Sequence, residues 1–357
     1  MSERISETEG GAGVLALKDP FGWLRGWSFD LVFIVGISGA ALLSGWLSVI
    51  DPKMFPTILF LDLWILGYHH VVATFTRLSF DLESFKEHKF LIVWLPWIIV
   101  TATALAALIL GPWILATTYL YWQWFHYTRQ SFGIARIYSR KGSNVVRNPR
   151  LEQLTLYLLP LTGILYRSYQ NPGTFLGMEL KVLPVPFWVV NLFLAASVGV
   201  VIWWVGQQIL DYREGHFQWG YTLYMCSHIA VFTVGYLMIR NINYGWLCLN
   251  VWHNAQYVML VWMFNNNRFK NGVDPSRRFL STLSQTKNMW IYYGVCLSVS
   301  TVIYLSVDKV LGFITFTALP LTMIVYQTIN FHHYVVDGII WKLRKKPVSS
   351  TLGLNKG

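Results

Sequence analysis

Long apolar stretches alternate along this chain with short polar connections, many of them basic. A helix needs about 20 apolar residues to cross the hydrocarbon core of a bilayer, and by that measure the sequence predicts about ten spanning helices. They are expected at 28–50, 56–79, 90–111, 113–138, 152–168, 186–210, 219–239, 245–267, 289–307 and 310–343. The pattern therefore predicts an all-α fold, a polytopic transmembrane helical bundle.

Composition supports a membrane protein. Of the 357 residues, 54% are hydrophobic and 13% are charged. A soluble domain could not bury so large a share of apolar residues. The simplest division is an N-terminal cytoplasmic segment at 1–27, one transmembrane domain at 28–344 and a basic cytoplasmic tail at 345–357. The N-terminal segment is polar and has no basic region before an apolar run, so we expect no cleaved signal peptide.

Basic residues predict the orientation, because cytoplasmic loops carry the excess of Lys and Arg. Clusters follow the fourth, eighth and tenth predicted helices, at 136–150, 268–287 and in the tail. All three follow even-numbered helices, so both termini are expected in the cytoplasm, and in a bacterium the protein would lie in the inner membrane. The net charge of +11 is thus explained by topology, and no nucleic-acid partner is expected.

Cysteine spacing gives no framework for a disulfide or a zinc knuckle. Cys226, Cys248 and Cys296 are isolated within apolar runs and show no CxxC spacing. We expect them to be buried free thiols.

Histidines stand inside four of the apolar stretches, in the segments 68–72, 125–127, 252–257 and 331–337. Polar side chains are costly in hydrocarbon, and those kept there usually bind something or pair with each other. Helix rise places these histidines roughly 10 to 22 Å from the cytoplasmic boundary, in one layer that a histidine of the seventh helix also enters. The candidate metal ligands are His69, His70, His126, His228, His253, His332 and His333.

Helical spacing adds three polar residues to the faces that carry these histidines. Gln130, Tyr257 and Asp337 each lie four residues after a histidine, so each shares its face. We treat these three as candidate catalytic residues. Adjacent helical residues point about 100° apart, so one member of each His-His pair faces a common centre, and we favour His70 and His333.

A lone intramembrane histidine is more often a packing residue than a ligand, but several at one depth favour a metal or cofactor site. Imidazoles with one carboxylate and no thiolate suit iron, copper or zinc. Non-haem iron is the first choice, and zinc or copper are alternatives. Four imidazoles would hold one metal ion, whereas six with Asp337 would hold two. Asp62, seven and eight residues before the first pair, is either a proton relay or an interfacial residue.

Single histidines dispersed over separate helices, here His70, His126, His253 and His333, resemble the bacterial and archaeal Brp/Blh family of β-carotene dioxygenases. The HxxxH and HxxHH boxes of membrane fatty acid desaturases are absent. The resemblance implies a polytopic helical protein that holds iron by histidines of different helices and cleaves a carotenoid with dioxygen to give retinal. The substrate is not carried over from it.

Three classes of function are open. The first is an iron-dependent membrane oxygenase, hydroxylase or desaturase acting on a lipophilic substrate taken from the lipid, such as a carotenoid, an isoprenoid or an acyl lipid. The second is a haem or quinone electron-transfer protein. The third is a transporter of metal ions or protons whose path the histidines line. The oligomeric state stays open.

Overall fold

The computed structural model describes residues 21–142, 148–313 and 320–354, and within these it is all-helical apart from one small hairpin. Ten helices there have 20 or more residues. They are α1 (Trp27–Ile50), α2 (Met54–Leu78), α3 (Phe90–Leu110), α4 (Trp113–Lys141), α5 (Pro149–Gln170), α6 (Phe187–Arg213), α7 (Trp219–Met238), α8 (Ile242–Arg268), α9 (Met289–Phe313) and α10 (Leu321–Ile340).

The shorter elements lie in the connections. Short helices span Leu82–Glu87, Arg278–Leu283 and Lys346–Thr351, and 3-10 turns span Pro275–Arg277 and Thr286–Asn288. In the connection between α5 and α6, β1 (Thr174–Phe175) pairs antiparallel with β2 (Met178–Glu179).

Six of the long helices are apolar enough to cross a membrane, namely α1, α2, α3, α6, α7 and the segment 286–313 that contains α9. The all-α class and the presence of membrane-length apolar helices are thereby confirmed. The other four, α4, α5, α8 and α10, are as long but more polar. The count of ten spans and the orientation of the termini stay predictions.

Burial explains why some long helices are polar. In α8, 20 of 27 residues are buried, whereas in α6 only 5 of 27 are. Helix α8 packs along α1 and α2, and α2 also packs against α9. An inner helix of this kind is shielded by its neighbours, so its side chains meet protein instead of lipid and a polar residue there can be paired.

The predicted last span, 310–343, is wrong in its extent. Helix α9 continues to Phe313, and α10 begins only at Leu321, after Pro320. Proline has no N–H to donate and suits the first turn of a helix, which explains the start of α10. Helix α5, by contrast, continues through Pro160. Residues 1–20, 143–147, 314–319 and 355–357 lie outside the described residues, so most of the N-terminal segment and Arg147 of the basic cluster do too.

Within the described ranges, π-helical turns lie inside α1 at Val32–Gly36 and inside α2 at Asp62–Gly67, while others begin α3 at Phe90–Trp94 and end α7 at Thr233–Met238. A π turn holds one more residue than an α turn and rotates the later residues of the helix about its axis. The turn at Asp62–Gly67 ends with one residue between it and the first His-His pair. It therefore sets the face on which His69 and His70 emerge relative to Asp62.

Helices α7 and α8 approach each other so closely that only glycine fits at the contact. A Cβ atom on Gly245 would collide with the carbonyl oxygen of Gly235, and one on Gly235 would lie 2.9 Å from the carbonyl oxygen of Gly245. The fully buried Arg167 closes the end of α7 by donating to the carbonyl oxygens of Gly235 at 2.8 Å and Ile239 at 2.6 Å. These contacts fix α8 at the centre of the bundle.

Asp81 joins the α2–α3 connection to the chain beyond α8. Its carboxylate accepts hydrogen bonds from the backbone N and Oγ of Ser84, both at 2.9 Å, and lies 3.2 Å from Nη1 of Arg268 and 3.5 Å from Nε of Arg277. Burial by itself raises the pKa of Asp81, but the Ser84 hydrogen bonds and the two arginine charges outweigh it and lower the pKa.

We expect Asp81→Asn to lower the free energy of unfolding by about 1–3 kcal/mol at neutral pH, because the charge-assisted bonds are lost while the helix cap is kept. A carboxyl with a lowered folded-state pKa stabilises above its unfolded value, about 3.9, and that stabilisation is lost as the pH falls through the folded value. In denaturation of detergent-purified protein, the variant and the native chain should therefore converge as the pH falls from about 4 through the folded-state pKa of Asp81. The exposed Glu214→Gln is the control; an equal loss there contradicts the assignment.

Candidate metal centre

Four histidines from four helices converge in the interior. His70 of α2, His126 of α4, His253 of α8 and His333 of α10 each offer one ring nitrogen, and these four nitrogens all lie within 4.8 Å of one another. Nε2 of His70 and Nε2 of His333 are 2.6 Å apart. All four side chains are buried, with 2–6% of their surface exposed. These four are among the seven histidines that the sequence names as candidate ligands.

Several of these ring nitrogens have no hydrogen-bond partner. Nε2 of His126 and the Nδ1 atoms of His70 and His253 are buried and unpaired. A buried polar atom is nearly always paired in a folded protein, because leaving it bare costs a lost hydrogen bond. Nε2 of His70 and Nε2 of His333 face each other and the unpaired Nε2 of His126 lies beside them, so one metal ion could bind these imidazoles together. The donor set fits Fe, Cu or Zn, which accept imidazole ligands.

A chain of hydrogen bonds holds one side of the centre. Nδ1 of His333 is 3.2 Å from Oγ1 of Thr74, and that hydroxyl is 2.9 Å from the hydroxyl of Tyr257. Tyr257 donates to Oδ1 of Asp337 at 2.6 Å. The bond at Nδ1 turns Nε2 of His333 toward the centre, in the way that an outer hydrogen bond orients a metal-ligating imidazole.

Asp337 stands at the edge of the four imidazoles. Its Oδ2 is 3.4 Å from Nε2 of His333 and 3.9 Å from Nε2 of His126. Because Tyr257 occupies Oδ1, Oδ2 is the oxygen that faces the histidines. The carboxylate is close enough to serve as a further ligand after a small movement, or to accept a proton beside the centre.

Aromatic rings fix the planes of three of the imidazoles. Tyr257 stacks on His70 with ring centroids 4.0 Å apart and planes 6° apart. Tyr127 lies 4.1 Å from His253 and Tyr334 lies 4.3 Å from His126 in similar stacks. A buried ring packed in this way cannot rotate without moving its neighbour, so the donor directions are set before any metal binds.

Two cavities reach the centre from opposite ends of α10. The first, which we call the Asp337 cavity, measures about 110 Å³ and is lined by His126, Tyr257, Asp337 and aromatic side chains, with Arg129 and Lys342 at its rim. The second, the Asn250 cavity, measures about 90 Å³ and touches the other three histidines. It is also lined by Tyr68, Asn250, Asn254, Tyr304, Tyr326 and Asn330.

A buried polar network lies beside the Asn250 cavity. Asn250 donates to Oδ2 of Asp62 at 2.5 Å and accepts from the hydroxyl of Tyr127. Gln123 donates to that same hydroxyl at 2.5 Å and accepts from Nε1 of Trp246 at 2.7 Å. Asp62 is thus a buried member of a network that leads to Tyr127, the ring stacked on His253.

The remaining candidate histidines point away from the centre. Nε2 of His332 lies 2.7 Å from the carbonyl oxygen of Leu91, and Nδ1 of His228 lies 2.8 Å from Oγ of Ser131. His69 faces Tyr293 edge-on, with ring centroids 5.6 Å apart. Within each pair the structure brings one member, His70 or His333, to the cluster, as adjacent residues on a helix require.

Gln130 has a different position from the one its spacing suggests. Its amide nitrogen donates to the backbone carbonyl of His253 at 3.1 Å, and it lines the Asp337 cavity. It ties α4 to α8 instead of facing the histidine nitrogens. Of the cysteines, Cys248 and Cys296 are buried and free, whereas Cys226 is free but exposed, so its predicted burial is wrong.

Sequence reasoning missed Thr74 and Asn250. Thr74 follows His70 by four residues, so the same spacing rule that selected Tyr257 and Asp337 would have found it. Asn250 precedes His253 by three residues on the same helix, which is a weaker signal of the same kind. Its hydrogen bond to Asp62 joins two helices, so the spacing of residues within one helix cannot predict it.

Comparison with known proteins found no matching family model, no curated protein and no solved structure.

We expect single changes of His70, His126, His253 or His333 to Ala to remove most of the bound metal, because each takes one of four donors from the set. His228→Ala and His332→Ala are matched controls, being buried histidines of the bundle that point elsewhere, and they should keep the metal. The measurement is metal per protein by mass spectrometry on purified protein. Full metal content in all four donor variants would overturn the site.

Proposed function

We propose that this chain is a membrane-embedded oxidoreductase in which a histidine-ligated metal ion, non-haem iron, acts on a lipophilic substrate. The observation that carries the proposal is the convergence of four buried imidazoles from four helices, with unpaired nitrogens, beside a cavity that continues to the outside of the bundle. We place the protein in the bacterial inner membrane, consistent with its six apolar helices of membrane length.

The geometry favours one metal ion. His70, His126, His253 and His333 would hold it, and Asp337 lies next to two of them. A second ion would need further imidazoles, and His69, His228 and His332 point elsewhere. Iron held by imidazoles with open positions supplies the activation of dioxygen that oxygenases, hydroxylases and desaturases need.

The Asp337 cavity is the best candidate for the substrate. Its wall holds Trp122, Phe125 and Tyr334 next to His126, and Phe125 is 41% exposed on the outside of the bundle. A volume of about 110 Å³ is far below that of a site for a whole ligand. It suits one segment of a long apolar molecule, with the rest lying in the lipid. A substrate dissolved in the bilayer loses no hydration on entry.

Protein groups around the cavity have distinct tasks in this proposal. Tyr257 holds Asp337 through Oδ1, so Oδ2 is free to accept a proton from a substrate segment in the cavity. Stacked aromatic rings keep the imidazoles in place and exclude bulk water from the histidines. Arg129 and Lys342 at the rim are cations that would hold an acidic or polar end of the substrate at the surface.

The likeness to the Brp/Blh β-carotene dioxygenases supports the same class. Both have iron-type histidine donors dispersed over separate helices, and here the four histidines quoted for that likeness are the four that converge. We propose a carotenoid, an isoprenoid or an acyl lipid as substrate, modified by cleavage, hydroxylation or desaturation.

We expect lipid extracts of cells with the intact protein to contain an apolar product that is missing when His126→Ala replaces it. Mass spectrometry of the extracts, with His88→Ala in a connecting loop as control, makes the comparison. Identical extracts would contradict the enzyme proposal.

Asp337→Asn should lower product formation at least about tenfold while leaving most of the metal bound. The amide keeps the shape but cannot take up a proton, and a group that acts in proton transfer typically contributes 10²–10⁴-fold. Glu83→Gln, an exposed carboxylate of a connection, is the control. Equal effects of the two changes on turnover would remove Asp337 from the mechanism.

A metal transporter is the second candidate, and one observation favours it. The Asn250 cavity and the Asp62 network approach the histidines from the end of α10 opposite the Asp337 cavity, so polar groups occur on both sides of the centre. Uptake of iron or zinc into proteoliposomes that is abolished by Asp62→Asn, together with unchanged lipid extracts, would replace the enzyme proposal with this one.

A haem protein is disfavoured by the same geometry. Axial ligation needs two imidazoles on opposite faces of a macrocycle, which must itself occupy the plane between them. Here the other two imidazoles stand where that plane would pass, since all four nitrogens lie within 4.8 Å.

A further inference from the structure

A large apolar groove lies between α1, α2, α8 and α9, and His69 lines it whereas the neighbouring His70 belongs to the four-histidine cluster. Its volume is about 750 Å³, within the range of sites that hold a ligand the size of a drug or a cofactor. Aliphatic residues and three aromatic side chains, Phe29, Trp290 and Tyr293, form most of its wall. None of the described residues that line it is a lysine, an arginine or a carboxylate.

Among the described residues of this wall, His69 is the one imidazole, and it lacks a partner for one nitrogen. The side chain is 4% exposed, and its Nε2 has no hydrogen bond. Its other ring nitrogen hydrogen-bonds to the backbone of Ile65, one helical turn earlier. A neutral imidazole that donates through one nitrogen accepts through the other. The groove therefore contains a buried hydrogen-bond acceptor, Nε2 of His69, that can accept from a ligand donor such as a hydroxyl group.

The position of the groove indicates where its ligand comes from. Trp27 and Trp290, at the first turns of α1 and α9, are 67% and 76% exposed, and exposed tryptophans at helix ends are typical of the membrane–water interface. From that level the apolar wall continues past Val32 and Leu66 into the bundle. A ligand that enters here is dissolved in the bilayer and carries its polar group near the interface.

We propose that this groove binds a lipid-soluble quinol, with a ring hydroxyl donating to Nε2 of His69 and the ring lying among Phe29, Trp290 and Tyr293. Three observations select that class. The absence of a cation among the described wall residues disfavours a phospholipid headgroup, the acceptor requires a hydroxyl donor, and aromatic side chains offer stacking surfaces for a flat ring. The isoprenoid tail follows the aliphatic wall.

The site is separate from the metal centre and independent of the proposed function. His69 and His70 are neighbours in α2 but point to different sides, one to the groove and the other to the four-histidine cluster. The bound quinol would lie one peptide unit from a metal ligand without entering either of the cavities that reach the metal centre.

The test is equilibrium dialysis of the purified full-length chain in detergent under argon. Decyl-ubiquinol, decyl-ubiquinone and decylbenzene, which share a tail and differ in the ring, are the probes. We expect the quinol to bind at least about fivefold more tightly than the quinone, the scale of one hydrogen bond. His69→Phe should remove that preference, and His69→Gln, which again offers an acceptor oxygen, should restore part of it.

Two glycine variants test the groove itself. A Cβ on Gly294, in the groove wall, meets nothing within 4 Å, so Gly294→Leu would fill the space and weaken all three probes. Gly206→Leu, at an equally open position on α6, should bind like the native chain. Equal affinity for the three probes, or a preference for quinol that survives His69→Phe, overturns the proposal. Metal content measured on the same samples separates this outcome from failure of the metal site, since the binding is expected with or without metal.

Discussion

The cost of placing bare polar groups in a dry interior governs this structure. Four imidazoles and the carboxylate of Asp337 meet where no lipid can hydrogen-bond them, and each must find a partner in the protein or in a bound ion. The bundle meets that demand by keeping its most buried long helix, α8, inside a shell of apolar ones. The apolar helices thus shield the polar side chains of α8 from lipid, and the arrangement of the bundle follows from that need.

The polar side chains next to the four imidazoles are also paired within the protein. Thr74, Tyr257 and Asp337 form one chain of hydrogen bonds that satisfies one hydroxyl with the next and ends on a ring nitrogen of His333. Each member comes from a different helix, α2, α8 and α10 in turn, so the chain also fixes the spacing of those helices. A change in any one of them leaves its neighbours in the chain of hydrogen bonds unpaired. Disrupting the network is therefore costly in free energy, and the intact network specifies one arrangement of these side chains.

Sequence reasoning recovers the features that depend on one helix at a time. The positions of the long helices follow from apolar length, and the selection of His70 and His333 follows from the 100° turn between neighbours. It fails where two elements decide together. The π turn at Asp62–Gly67 and the bond between Asn250 and Asp62 depend on helix packing, so neither has a local signature. The extent of the last span fails for a simpler reason, because its predicted first residues belong to α9 and α10 begins only after Pro320.

Rigidity bears on the choice between catalysis and transport. A carrier must open its central site to each side in turn, which requires the helices around it to move apart and re-pair their buried groups. Here three of the four imidazoles are clamped by stacked rings, and the hydrogen-bond chain ties α2, α8 and α10 together at the same depth. Opening would break these contacts at once. A preorganised donor set of this kind gains most where ligand directions must stay fixed while a substrate segment reacts, which is what the proposed enzyme function would require.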